Sequence, residues 1–338
     1  MYATMLYGAG DVRFEDVPTP KVQLPADAII RVTASCVCGS DLWPYRGIQD
    51  YGRPVAMGHE YCGVVEEVGS AVKSLRPGQF VIGSFFASDN TCPHCQQGYH
   101  SSCDVREIVG GAQAPLLRVP LADGTLVATP EMPGDDLVPS LLAVSDVMGT
   151  GWFAADAAQV RPGSTTVVVG DGAVGLLGVL SAHLMGAERI IAMSRHPARQ
   201  AIARQFGATD IIEARGEDGI AQVRELTNGI GADSVLECVG TQQSMDQAIK
   251  VVRPGGYTSF VGVPHGVQFR GEDLFFGHVH LHGGPAPVRR YLPDLIAKVW
   301  DKSINPGLVF DLDLPLAQVA DAYKAMDQRT AIKAILRP

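Results

Sequence analysis

The stretch from Thr165 to Arg195, TTVVVGDGAVGLLGVLSAHLMGAERIIAMSR, constrains this chain more than any other. An apolar β-branched run, Thr165 to Val169, meets a glycine-rich turn made of Gly170, Asp171, Gly172, Ala173, Val174 and Gly175. A helical pattern follows to Met185, and Gly186 stops it. A second apolar run, Arg189 to Met193, completes a strand–turn–helix–strand unit. In that setting G-x-G-x-x-G has a mechanism. Gly170 permits the tight turn, Gly172 lets backbone approach a pyrophosphate, and Gly175 lets the helix pack close to the strand. A glycine-rich loop that binds nothing would not need a strand before it and a helix after it. Dinucleotide binding is therefore expected.

The end of the second strand speaks to which dinucleotide. NAD-preferring proteins commonly place Asp or Glu there to hold the ribose 2′-hydroxyl. This chain has Ser194, Arg195 and His196, with Arg199 one turn into the next helix. No carboxylate follows the strand to repel a 2′-phosphate, and two guanidiniums are available to grip one. The expectation is NADP(H) in preference to NAD(H), against the blander reading of solvated arginines at a helix start.

With 338 residues the chain is long enough for two cores. A net charge of −9 argues against a nucleic-acid partner and against attraction to a membrane surface. No apolar run is long enough to span a bilayer. MYATMLYGAGDVRFEDV lacks a basic region followed by an apolar core, so no signal peptide is read and the cytoplasm is the expected location. The seven cysteines, three of them in one tight cluster, then favour thiolate and metal chemistry over disulfides.

Residues 1 to 35 alternate apolar and polar positions between prolines, and Ala28 to Ala34 reads as a strand leading into Cys38. A further strand at 64–68 and a turn and strand within 76–82, with Gly and Pro turns, suggest a compact, barrel-like β region. Residues 88 to 103, SDNTCPHCQQGYHSSC, form an irregular lobe. Leu137 to Ala158 reads as helical. Strands are then expected near 165–169, 189–193, 209–212, 233–239, 256–262 and 279–282, alternating with helices as in a doubly wound parallel sheet. Two amphipathic helices, 289–303 and 316–327, and a strand at 331–336 close the chain.

Cys38 and His59 offer the soft and borderline donors that zinc favours; Glu60 follows His59 directly, and Asp146 is a further carboxylate at the helix that enters the dinucleotide domain. On spacing alone a histidine beside an acid is usually just hydrogen-bonded, and Cys38 fits equally as a small buried hydrophobe. The cysteine lobe is stronger. Cys92-x-x-Cys95 and Cys103 supply three thiolates, and a closed structural zinc site needs a fourth ligand. Asp89, His94 and His100 are the options. A redox C-x-x-C pair of the thioredoxin kind would adjoin a βαβ unit, and this one does not.

Cys38-Gly39-Ser40-Asp41, then Gly58-His59-Glu60, then the cysteine lobe, then the glycine turn: in this order the chain resembles the zinc-dependent alcohol dehydrogenases of the medium-chain dehydrogenase/reductase superfamily. The resemblance covers essentially its whole length. It implies an α/β protein in which a Rossmann doubly wound parallel sheet (148–284) accompanies a mostly β, GroES-like barrel catalytic domain (1–147 and 285–338). It implies Cys38, His59 and Asp146 as catalytic zinc ligands, with Glu60 beside the metal and able to exchange onto it. Ser40 would take the substrate proton, and Asp41 would orient the His59 imidazole. Asp89 aligns with the first of the family's four structural-zinc cysteines. Thr150, the 170–175 turn and Lys333 would contact the cofactor, the last at its phosphates. Cys238, Val239 and Gly240, with Val261, Gly262 and Val263, would line the nicotinamide side. Where many members carry a relay histidine this chain has Leu42, Trp43 and Tyr45, so a relay beyond Ser40 would use the cofactor ribose or water.

The resulting expectation is an oxidoreductase passing hydride between a small alcohol, or its aldehyde or ketone, and NADP(H), in a homo-oligomer (dimer or tetramer). A zinc-free quinone or enone reductase on the same scaffold is the nearest alternative, and such proteins lack the cysteine and histidine set. A non-catalytic NADP(H) sensor would not need Ser40 beside zinc ligands. A nucleic-acid-binding zinc module conflicts with the acidic balance. Trp43, Tyr45, Tyr51, Phe85 and Trp152 are candidate walls of a substrate pocket.

Overall fold

The computed structural model describes all 338 residues. They form two compact units, Met1–Gly149 with Pro287–Pro338, and Thr150–Ala286. No helix is long and apolar enough to cross a membrane.

The first unit is built on a sheet whose strands run in the order Leu126–Ala128, Phe80–Gly83, Tyr61–Val68, Ala28–Cys36, Ala334–Arg337 and Leu312–Pro315. Leu116–Val119 also pairs with Ala28–Cys36. Most neighbours are antiparallel, and the inward positions (Ile30, Val32, Tyr61, Val65, Val81, Leu117) are buried in one core. Burying β-branched and aromatic side chains of this kind stabilises by roughly 1.5–3 kcal/mol each. The two central strands approach closely at Gly63, where a Cβ would lie 2.1 Å from the Arg31 carbonyl oxygen. Tyr2–Gly8, Asp11–Asp16 and Val55–Ala56 make a separate small sheet.

The expected continuous helix over 137–158 is in fact two, Val138–Val144 and Val147–Ala157. At the break, both the Ser145 amide and its hydroxyl donate to the Leu142 carbonyl, at 3.0 and 2.7 Å, which tightens the last turn. Asp146, 7% exposed, is thereby presented to the metal-ligand cluster described below. The final helices span Val288–Trp300 and Val319–Asp327.

In the second unit six parallel strands run in the order Asp210–Ile212, Arg189–Met193, Thr165–Val169, Ala232–Glu237, Val252–Phe260 and His280–Gly283. In chain order this is 3-2-1-4-5-6, the doubly wound arrangement, and it reverses direction beside Thr165–Val169. The central strands are apolar on both faces, as a sheet covered by helices requires.

Candidate metal centres and dinucleotide cradle

Four donors from three distant segments converge in the first unit. Cys38 follows the strand Ala28–Cys36 by two residues and caps a single 3₁₀ turn, Gly39–Asp41. Asp41 accepts the Cys38 amide at 3.0 Å, and its other oxygen lies 3.4 Å from His59 Nδ1. That carboxylate fixes the imidazole so that Nε2 faces the other ligands, as metal-binding histidines need. Gln113 supports Asp41 from behind, donating to it at 3.4 Å and to the Cys36 carbonyl at 3.1 Å.

His59 Nε2 stands 3.3 Å from Asp146 Oδ2 and 3.4 Å from Ser40 Oγ, and Cys38 Sγ is 3.7 Å from the same Asp146 oxygen. Ligand atoms of Cys38, His59, Glu60 and Asp146 all lie within 4.8 Å of one another. Tetrahedral zinc, with bonds of about 2.3 Å to sulfur and about 2.0 Å to nitrogen or oxygen, sets its ligand atoms about 3.3–3.7 Å apart. The donor set therefore fits zinc in kind and in size. Electrostatics agree. Burial disfavours the His59 cation, yet Asp41, Cys38 and Asp146 together raise its pKa well above the ordinary histidine value. The cluster carries an excess of anionic donors that a divalent cation would neutralise.

Glu60 is fully buried. Oε1 accepts from the Lys333 amine at 2.6 Å, while Oε2 has no hydrogen-bond partner. The structure corrects the expectation for Lys333. Its side chain, 1% exposed, donates to Glu60 and to the Val37 carbonyl at 3.1 Å, so its charge sits beneath the metal ligands rather than reaching toward phosphates. Of the aromatic candidates, Phe85 meets the His59 ring edge-on at 6.0 Å between centroids, whereas Tyr45 packs on Tyr323 in the core.

The cysteine lobe brings Asp89, Cys92, Cys95 and Cys103 together within the same 4.8 Å limit. Of the three fourth-ligand options it is Asp89 that joins. His94 pairs with Asp104 at 3.5 Å, and His100 with Asn90 at 2.7 Å. Burial tends to raise the Asp89 pKa, but the Thr91 and Cys92 amides and the neighbouring thiols hold it well below the usual carboxylate range. An ionised carboxylate with three thiols is a set that zinc accepts.

In the second unit the glycine turn has the shape of a phosphate cradle. Gly170 takes φ +120°, a Cβ on Gly175 would lie 2.0 Å from the Gly170 carbonyl oxygen, and a Cβ on Gly172 would meet nothing within 4 Å. The first-turn N–H groups of Ala173, Val174 and Gly175 belong to the helix Ala173–Leu184 and carry its partial positive charge. Cys238, Val239 and Gly240 follow strand Ala232–Glu237, and the Val239 and Gly240 amides both donate to Glu237 Oε1 at 2.8 Å. Val261 and Gly262 donate to the Glu237 carbonyl, and Val263 lies against Gly240. Both segments therefore gather at the C-terminal ends of the central strands, beside the switch point. Thr150, 7% exposed, belongs to the helix Val147–Ala157.

The reading of the second strand's end needs a correction. A carboxylate does stand there, supplied by the turn itself: Asp171 Oδ2 accepts from Ser194 Oγ at 2.9 Å. Arg199, 6% exposed, neutralises it, donating to the Asp171 carbonyl at 3.1 Å with its carboxylate at 3.5 Å. Arg199 thus ties the turn to the next helix, and Arg195 is the exposed guanidinium. Arg215, which the sequence reading passed over, lies beside it, since both donate to the Glu213 carbonyl, at 3.2 and 3.4 Å. A basic residue just past the third strand was the available signal.

Donors suited to zinc and a dinucleotide cradle on one chain define a zinc-dependent oxidoreductase. Comparison with known proteins agrees. Residues 24–131 match the alcohol dehydrogenase GroES-like domain and residues 173–299 the zinc-binding dehydrogenase domain. Zinc-type alcohol dehydrogenase B of Aspergillus flavus is 33% identical over all of this chain and 81% of its own length. An NADP-dependent isopropanol dehydrogenase of Clostridium beijerinckii is 35% identical over 69% of this chain and 68% of its own. The alcohol dehydrogenase TADH from Thermus sp. ATN1 superposes with a TM-score of 0.91 at 32% identity, covering 100% and 99% of the two chains. The chain belongs to the zinc-type alcohol dehydrogenases of the medium-chain dehydrogenase/reductase superfamily.

Proposed function

We propose that this enzyme interconverts a small alcohol and its aldehyde or ketone with NADP(H) preferred over NAD(H), and that Cys38, His59 and Asp146 hold its catalytic zinc. The observation that carries the reading is the convergence of Cys38, His59, Glu60 and Asp146 within 4.8 Å. When bound, the zinc supplies Lewis acidity toward the substrate oxygen, and the nicotinamide accepts or donates the hydride.

The chain's own residues do the rest. Ser40, whose Oγ is 3.4 Å from His59 Nε2, is placed to take the substrate hydroxyl proton. Asp41 holds the imidazole in orientation. Glu60, held by the Lys333 amine, stands in reserve as an exchanging ligand. Phe85 offers an apolar edge that favours an uncharged substrate and excludes water. A second metal held by Asp89, Cys92, Cys95 and Cys103 would stabilise the lobe.

NADP(H) preference is supported by Arg195 and Arg215 at the strand ends and by the neutralisation of Asp171 by Arg199. For assembly we infer a homo-oligomer, since Phe275 and Phe276 are 74% and 77% exposed near the edge strand His280–Gly283. Sedimentation of the purified chain tests that. Zinc per chain by mass spectrometry, with alcohol-dependent NADP reduction before and after Cys38→Ser, tests the main proposal. A zinc-free protein that still reduces enones would overturn it.

A further inference from the structure

Arg289 lies in the first turn of the helix Val288–Trp300. Its guanidinium is partly buried, its Nε has no hydrogen-bond partner, and no carboxylate pairs with it. Burial pushes its pKa down, and the one charge-bearing neighbour acting the other way is the Cys95 thiol. With Asn90, Cys95, Gly98, His100 and Arg290 it lines a cavity of about 430 Å³ against the cysteine lobe. The helix start packs close here: a Cβ on Gly98 would lie 2.9 Å from Arg290 Cδ.

A guanidinium partly withdrawn from water without an anion is costly, and chains rarely keep one without a compensating charge. The lobe beside it supplies that charge once metallated. Three thiolates and a carboxylate outweigh the two positive charges of zinc and leave a net double negative charge. The other cations of the lobe do not answer it as well. His100 is held neutral by burial and by Arg289 and Arg290, and its Nε2 is engaged with Asn90. Arg106 is exposed, donates to the Cys103 carbonyl, and is screened by solvent.

We propose that Arg289 is the counter-charge of the Asp89–Cys92–Cys95–Cys103 metal centre, a positioning residue through which the helix Val288–Trp300 holds this lobe in its metal-binding form. The proposal rests on the reading of that cluster as a zinc site. It assigns a role in metal retention to a residue that follows the last ligand by an entire dinucleotide-binding unit.

The test is zinc release from the purified full-length enzyme into a chromogenic chelator. Outer partners of metal ligands commonly contribute 10–100-fold in affinity, so Arg289→Gln should release one of two zincs about 10–100-fold faster than wild type. Arg289→Lys, which keeps the charge, should restore slow release. Arg290→Gln, on the same turn, should leave release unchanged and so controls for general loosening of the helix. Unchanged release in Arg289→Gln, or equally fast release in Arg289→Lys or Arg290→Gln, would overturn the proposal. Cys92→Ser identifies the zinc in question. If that variant loses no zinc relative to wild type, the metal reading itself fails and the proposal falls with it.

Discussion

The Lys333 amine donates to Glu60 Oε1 at 2.6 Å, with the two side chains 1% and 0% exposed. Burial raises the Glu60 pKa and Lys333 opposes it, so the lysine offsets part of the cost of burying this acid beside Asp146. Removing one member of a buried pair typically costs about 3–5 kcal/mol, because the other is left uncompensated. Lys333→Met should therefore lower unfolding free energy by about that amount, and Lys333→Met with Glu60→Gln by less. Urea denaturation of both variants decides it; equal losses would mean the pair is not the cause.

Cys38→Ser or His59→Ala should abolish turnover while leaving NADPH binding intact, because the glycine turn belongs to the other compact unit. Fluorescence titration with NADPH alongside an alcohol oxidation assay separates the two effects. Full activity in either variant would remove the catalytic zinc assignment.

Arg195 and Arg199 should behave differently although they lie one helical turn apart. Hydrogen bonds to charged groups contribute about 1.5–3 kcal/mol, so Ser194→Asp with Arg195→Leu should move the NADP/NAD ratio of kcat/KM toward NAD by about tenfold or more. Arg199→Leu frees Asp171 and unties the turn, so it should weaken both cofactors together. A change confined to NADP in that variant would return Arg199 to the 2′-phosphate.

The two metal centres should respond to pH with opposite signs in the metal-free protein. Asp89 has a folded pKa below its unfolded value of about 3.9. Its contribution is fully present above that value and is lost as pH falls through the folded one. His59 has a folded pKa above its unfolded value of about 6.5. Its contribution is present below that value and is lost as pH rises through the folded one. Denaturation of the metal-free protein across pH should show Asp89→Asn differing from wild type at neutral pH and converging in acid, and His59→Gln differing most below pH of about 6.5. Zinc uptake should strengthen with pH, since its ligands must lose their protons.

Gly58 stands at φ +91°, and a Cβ there would lie 2.6 Å from Gln113 Cγ and 2.7 Å from its backbone nitrogen. Gln113 is the residue that supports Asp41 and accepts from the Tyr323 hydroxyl at 3.3 Å. Gly58→Ala should cost at least the roughly 1–2 kcal/mol of a left-handed backbone and should also lower zinc occupancy. Calorimetry and metal analysis of one preparation read both. Normal stability and zinc content would show that Gln113 yields without consequence.

Much of this architecture is legible in the sequence. The runs 165–169 and 189–193 match their strands to the residue, because continuous apolar, β-branched runs and glycine stops are local signals. The spacing within Cys92-x-x-Cys95 and within Gly170–Gly175 is likewise local, and so is its chemistry. The break between Val144 and Val147 was missed because every residue across it is compatible with helix; a side-chain bond from Ser145 decides the turn.

The sequence by itself determined the alternation of strands and helices, the phosphate turn and the donor types, since each depends on residues only a few positions apart. Only the tertiary structure decided that Asp171 engages Arg199 and that Lys333 lies under Glu60. Those partners are separated by up to 273 residues, and their pairing follows from packing and charge compensation in a buried interior rather than from any local pattern.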